Sequence, residues 1–295
     1  MTARGRALLI AVGGTWLAAA VLAPFLIAAK ISVSSVVLAQ PPYAPLLDWS
    51  AGGRLPALRL NWANYALLFS DVLYLDAYLS SLRLAASATL IALLIGLPLA
   101  HAMARAPEPW RPALLVLVIL PFWSSSLIRV YAWIGVLRAD GPLNAALMAV
   151  GIVDAPLPIL NTDIAVVSGL VYSYLPFMVL PLYASLARID PALLEAAADL
   201  GARPWRGFVR VTLPLALPGV LAGSLLVFIP AVGEFVVPDL LGGSDTLMIG
   251  KVMWTEFFGN RDWPLAGAAS VVLVVLLIGP IVALERLGIE RAEGR

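Results

Sequence analysis

The sequence predicts an all-α membrane protein with six transmembrane helices. Three observations carry that prediction. Apolar residues make up 61% of the 295 positions and charged residues only 13%, against roughly half and a quarter in a soluble domain. Uncharged runs of about 20 residues, the length a helix needs to cross a bilayer, recur along the chain. Basic residues also gather in alternate connections between those runs, as they do on the cytoplasmic side of membrane proteins.

The first run, Ala7 to Ala29, follows Arg4 and Arg6. Its length exceeds the roughly 7–15 apolar residues of a cleaved signal peptide, so a retained anchor helix over 8–29 is predicted, with Lys30 at its far interface. Residues 40–78 read as a long outer loop, with a short interfacial helix at Asn61–Phe69. Helix 2 is predicted at 80–104, with Arg83 near its outer end and Arg105 at its inner end. A short basic loop with Pro107, Pro109 and Pro112 leads to helix 3 at 113–137, which Arg129 interrupts. A second outer loop covers 138–163, with turn signals at Asp140-Gly141, Pro156 and Pro158. Helix 4 is predicted at 164–187, helix 5 at 213–233 and helix 6 at 264–284, with a third outer loop at 234–263. The organisation is an anchor and first outer loop at 1–77, a transmembrane domain at 78–286 and a tail at 287–295.

An even number of spans puts both termini on one side. The N-terminus, 105–112, 188–212 and the charged C-terminal segment together hold eleven Lys and Arg against seven Asp and Glu. The rest of the chain holds eight against eleven. The basic excess places both termini and the 188–212 segment on the cytoplasmic side of the membrane. A net charge of +1 gives no reason to expect nucleic acid as a partner. With no Cys and one His, His101, disulfides, thiolate metal sites and histidine clusters are excluded.

Asp190 to Pro218 is the longest soluble-looking helical pattern. Asp190 suits an N-cap, Pro191 the first helical position and Gly201 a left-handed C-terminus, and Pro204 suits the start of a second helix. Ala196, Ala197 and Ala198 leave a low surface that another protein can approach closely.

Within it, Glu195-Ala196-Ala197, then Gly201, then nine residues, then Val211-Thr212-Leu213-Pro214 resembles the EAA signature of ABC importer permeases. Val211 stands where Ile is most usual. The resemblance implies the type I ABC importer transmembrane fold, with 189–214 as the loop that couples to a separate ATPase through Glu195, Ala196, Ala197, Gly201, Leu213 and Pro214. Arg203, Arg206 and Arg210 offer further polar contacts.

The segments 122–144, 170–190, 227–243 and 256–264 are similar to permeases of polyamine importers, the putrescine type first and the spermidine type next. This likeness implies one of two homologous permease subunits, working with two ATP-binding cassette subunits and a periplasmic polyamine-binding protein in the lipid bilayer. ATP and Mg would be held by the ATPase partners. This chain would bind no cofactor and would not itself be an enzyme.

A polyamine pathway needs carboxylates or carbonyls for ammonium groups and aromatic faces for cation–π contact. Glu234, after Pro230 and Gly233, is the leading candidate because charges at membrane depth are costly and tend to be functional. The alternative is a carboxylate in an outer loop paired with Arg129 or a Lys. Asp239 and Glu256 are further candidates, more open to a solvated role. Tyr131, Trp133, Tyr172, Tyr174, Trp254 and Trp263 could supply ring faces or form an interfacial aromatic belt. Arg129 would repel a polycation and is expected to pair with a carboxylate or to point to the surface. His101 is expected to be packed or interfacial.

Gly243 to Lys251 lacks P-loop spacing, since Asp245 and Val252 occupy positions that need Gly and Ser or Thr. Ser124-Ser125-Ser126 has no nearby base. Two other readings stay open: an ABC permease for another small cargo (an opine, an amino-acid-like compound or an iron chelate), and an ion-coupled secondary transporter.

Overall fold

The computed structural model describes residues 3–48 and 57–293. The Gly52-Gly53-Arg54 part of the first outer loop and the last two tail residues lie outside them. The chain forms two compact units, each taken here by itself.

Unit 1 combines residues up to Leu75 with Val252–Gly279. Helix α1, Ala3–Ser32, is exposed along almost its whole described surface, including Trp16, Leu17 and Leu26. A helix that presents apolar side chains outward suits lipid or another chain rather than water. Its end is closed by Asn64, whose Nδ2 donates to the carbonyls of Ser32 and Ser34 at 2.8 and 2.9 Å. These are orphan groups that a helix terminus otherwise leaves to solvent. Strands β1 (Leu47–Asp48) and β2 (Ala57–Leu58) pair antiparallel. Helix α2, Ala63–Ser70, occupies the predicted interfacial position. Helix α13, Trp263–Glu293, is capped by Asp262, which accepts from the Leu265 N–H. It passes so close to α1 that a Cβ at Gly267 would lie 3.2 Å from the Ala28 carbonyl oxygen.

Unit 2 holds Asp76–Lys251 and the chain from Pro280. Its core is built on α3 (Val72–Arg105), α7 (Asp163–Leu186) and α10 (Leu213–Val232). Helices α7 and α10 form the most extensive helix pair. Gly219 and Gly223, four residues apart on α10, make the seam possible. A Cβ at Gly219 would lie 2.7 Å from the Pro181 carbonyl oxygen, and one at Gly223 would lie 2.9 Å from the Met178 sulfur. Between helices in lipid, where burial of apolar surface gives no drive, such close backbone approach is the main source of packing.

The six predicted apolar segments are all helical, with differences that have local causes. Among the described residues, four helices are long and apolar enough to span a membrane singly. The third segment is broken: α4 (Arg111–Ile119) gives way to a 3₁₀ turn at Leu120–Trp123 and then to α5 (Ser126–Leu137). The two arms meet at 91°. Pro121 lacks an N–H, and Ser124 turns extended at ψ 155°, which ends the helix. Within α13 the described apolar stretch runs Trp263–Gly279. The second outer loop contains α6 (Pro142–Ala149). The third contains α11 (Val236–Leu241), α12 (Ile249–Trp254) and a π turn at Thr255–Gly259. Buried Asn144 organises the second loop, donating to the carbonyls of Arg138 and Leu157 and accepting the Leu157 N–H.

Candidate functional site: an exposed helical module and a carboxylate joined by one rod

The 188–214 segment folds as its residues dictate. Asp190 accepts from the Ala192 N–H at 2.9 Å, Pro191 opens α8 (Pro191–Asp199), and Gly201 adopts φ +81°. The Gly201 N–H donates to the Ala198 carbonyl and the Ala202 N–H to the Ala197 carbonyl. This paired pattern is a Schellman closure, which satisfies the last carbonyls of the helix. Leu194 and Ala197 are half-buried against the rest of unit 2. The outer surface is open: Glu195 and Ala196 are exposed, as are Leu193, Leu200 (89%) and Trp205 (72%). Glu195 forms no ion pair among the described residues. Leu193 on α8, Leu200 at its C-cap and Trp205 in the turn that follows leave apolar surface open around Glu195.

The second helix expected at Pro204 is not a separate element. Short α9 (Pro204–Gly207), a π turn at Phe208–Thr212 and α10 run on as a single rod, Pro204–Val232, of 29 residues. In the π turn the Leu213 N–H reaches back five residues to the Phe208 carbonyl. The cause is Pro214, which has no N–H to give to residue 210 and whose ring crowds that carbonyl; a wider turn makes room. Leu213 is half-buried and Pro214 exposed. At about 1.5 Å per residue the rod is about 43 Å long. The module lies at its start and Glu234 directly past its end.

Glu234 is held from both oxygens. Oε2 accepts from the Tyr174 hydroxyl at 2.5 Å, and Oε1 accepts the backbone N–H groups of Phe235 and Val236 at 3.0 and 2.9 Å. Among the described residues no Lys or Arg pairs with it. The alternative of an Arg129 partner is not what the structure holds. Arg129 neither pairs with a carboxylate nor turns to the surface: Nη1 donates to the Pro121 carbonyl, and the guanidinium lies 5.3 Å from the Phe122 ring centre. That carbonyl lies at the break in the third segment and also accepts from the Ser124 N–H and hydroxyl. Rings connect the two groups, since Phe122 meets Phe177 edge-on at 5.0 Å and Phe177 meets Tyr174 at 6.2 Å.

The other predicted residues disperse. Asp239 pairs with Lys251 at 3.4 Å, so the lysine of the discarded P-loop reading is a salt-bridge partner. Trp133 packs edge-on against Tyr172 and lines an apolar groove of about 670 Å3 between α3, α5 and α7. The groove's only charges, Arg83 and Asp163, pair with each other. It therefore suits hydrocarbon rather than a dication. Tyr131 is 59% exposed. In unit 1, Glu256 accepts from the Tyr74 hydroxyl at 3.0 Å and from Asn260 at 2.8 Å. Trp254, Phe258, Phe257, Trp263 and Tyr43 form a continuous ring cluster, the pattern of an interfacial belt. His101 is packed edge-on against Phe208. Sequence reasoning missed that Tyr174 holds Glu234; the two are 60 positions apart and only the α7–α10 seam joins them.

An apolar helical bundle with several helices long enough to cross a membrane, and a capped, exposed helix on one of its connections, has the architecture of a multi-span membrane protein. The chain belongs to the family described as binding-protein-dependent transport system inner membrane components, whose profile matches residues 92–284. It is a type I ABC permease of the polyamine group. It is 48% identical over 226 residues to the spermidine/putrescine transport system permease protein PotB of Haemophilus influenzae, covering 77% of this chain and 79% of that one. It is 47% identical over 214 residues to PotB of Escherichia coli strain K12, covering 72% and 78%. In fold it resembles a chain of a bacterial ABC transporter involved in the import of the acidic polysaccharide alginate. That match has a TM-score of 0.70 at 18% identity and covers 95% of this chain and 94% of that chain.

Proposed function

We propose that this chain is one of two permease subunits of an ATP-driven importer that carries polyamines across the bacterial inner membrane. Its transmembrane domain is 78–286, its coupling loop 189–214, and both termini lie in the cytoplasm. The observation that carries this reading is α8: a capped helix whose outer face is exposed among the described residues. It begins the segment that leads through Gly201 into the rod ending beside Glu234. The names of the PotB relatives support polyamine cargo.

In mechanism, two ATPase subunits receive α8 of each permease, and a loaded periplasmic binding protein docks on the outer loops. ATP-driven closure of the ATPases moves the 190–208 lever, and the rod transmits that motion to the far end of α10. Differential contacts in the two states couple the sites. Glu234 is a carboxylate with no cationic partner among the described residues, so an ammonium group is its natural visitor. Tyr174 keeps it in place between visits and offers a ring face. Asp239, already paired, and Glu256, held by Tyr74 and Asn260, are secondary.

The test is ATPase activity and uptake by the complete complex in liposomes. Spermidine- or putrescine-loaded binding protein is expected to stimulate hydrolysis, orthovanadate to stop uptake, and an uncoupler to leave it unchanged. Uptake that survives orthovanadate and collapses with the uncoupler would sink the ABC mechanism. Stimulation by other cargo but by neither polyamine would sink the substrate assignment alone.

A further inference from the structure

A cleft of about 390 Å3 lies inside unit 2 between α8, the start of the rod and the end of α3. Its walls are Leu194, Ala197, Ala198, Ala202, Pro204, Gly207 and Phe208, and its polar groups are His101, Arg105, Arg203 and Thr212. No acidic residue lines it. Arg105 and Arg203 form no ion pair among the described residues. Thr212 is only 1% exposed, and its hydroxyl has no hydrogen-bond partner among the described residues. A threonine inside a helix ordinarily donates back to a carbonyl of the preceding turn. Here no such bond forms among the described residues. A buried hydroxyl left alone costs about 1–3 kcal/mol, so its persistence calls for an acceptor that enters the cleft.

The cations say what kind of acceptor. Two arginines without an acidic neighbour around one cavity favour an anion, and Arg in particular matches the oxygen geometry of a phosphate. The position adds to this. Arg105 is the last residue of α3, where its apolar run stops, so the cleft opens at the level where lipid phosphates lie.

We propose that this cleft binds a phosphate group, carried by an anionic lipid headgroup or by a soluble phosphate. The phosphate accepts from the Thr212 hydroxyl and bridges Arg105 on α3 to Arg203 beyond the Gly201 hinge. Bound there, it ties the docking module to the membrane body, so occupancy stiffens the lever. Nothing in this depends on the cargo.

The experiment has two arms, each on the complete transporter with its ATPases. In the lipid arm, native mass spectrometry counts phosphatidylglycerol retained by the complex, compared with the Arg105→Gln, Arg203→Gln double variant. In the soluble arm, inorganic phosphate is titrated into lipid-depleted complex and the thermal midpoint followed. The double variant is expected to lose about tenfold or more in affinity, the loss of at least one charged hydrogen bond. Loss in the first arm assigns a lipid headgroup, and loss in the second a soluble phosphate. Should the double variant fail to assemble, Thr212→Val keeps the side-chain shape. It is expected to weaken the same binding while raising the midpoint of the ligand-free complex. Equal phosphatidylglycerol occupancy and equal phosphate-induced shifts in wild type and variants overturn the proposal.

Discussion

Gly201 and Gly135 show how position decides what one methyl group does. A Cβ at either would meet nothing within 4 Å. Gly201 sits at φ +81°, where an L side chain costs about 1–2 kcal/mol. Gly135 lies within α5, where Ala is favoured over Gly by about 1 kcal/mol. Gly201→Ala is therefore expected to lower the thermal midpoint of the complex and its retention of the ATPase on affinity purification. Gly135→Ala is expected to leave both unchanged or raise the midpoint. At Glu234 the charge and the Tyr174 bond separate cleanly. Glu234→Gln is expected to reduce polyamine uptake about tenfold, in line with loss of a charged hydrogen bond. Tyr174→Phe, which leaves the carboxylate charged and its two backbone bonds intact, is expected to reduce it less. Both should assemble with the ATPase. Equal uptake by Glu234→Gln and wild type would remove Glu234 from the pathway.

At the scale of elements, the α7–α10 seam and the π turn are the two sensitive features. A Cβ at Gly219 meets backbone and the Ser185 side chain at 2.7 Å, so neither can yield without moving a helix. Overpacking of this kind costs about 1–3 kcal/mol. Gly219→Ala is expected to lower the thermal midpoint, while Gly13→Ala in α1, where a Cβ meets nothing within 4 Å, is not. The π turn adds one residue to its turn, and its removal would rotate everything before it by about 100° relative to α10. Pro214→Ala restores the missing N–H. Its expected effect is a loss of uptake with ATPase assembly retained, read by comparing transport with co-purification. A Pro214→Ala transporter with wild-type uptake would mean that the register of the module on the rod is not what couples it.

For the whole molecule, the open question with the cleanest experiment is orientation. The chain has no cysteine, so single cysteines can be read without background. Glu108→Cys lies in the basic loop between α3 and α4, and Asp154→Cys in the loop between α6 and α7. With a membrane-impermeant maleimide on spheroplasts, residue 154 is expected to label and residue 108 to label only after permeabilisation. The reverse pattern would invert the topology and move the docking module away from the cytoplasm.

Sequence alone determined the membrane class, the order of the apolar segments and the capped helix and hinge that run from Asp190 to Gly201. Those are local properties: composition, runs of about 20 apolar residues, and cap and hinge residues that act within one turn. Asp190, Pro191 and Gly201 each do in the structure what their chemistry dictates nearby. Tertiary structure alone decided which polar groups meet. Tyr174 reaches Glu234, Arg129 turns to the Pro121 carbonyl, and Thr212 is left without a partner. The fusion of the expected second helix with α10 and the bend in the third segment belong to the same class. A proline reads equally well as a start, a kink or a stop, and its neighbours in space choose among them. A carboxylate's partner likewise depends on which helices pack together. Here that was set by Gly219 and Gly223, whose missing side chains let α10 lie against α7.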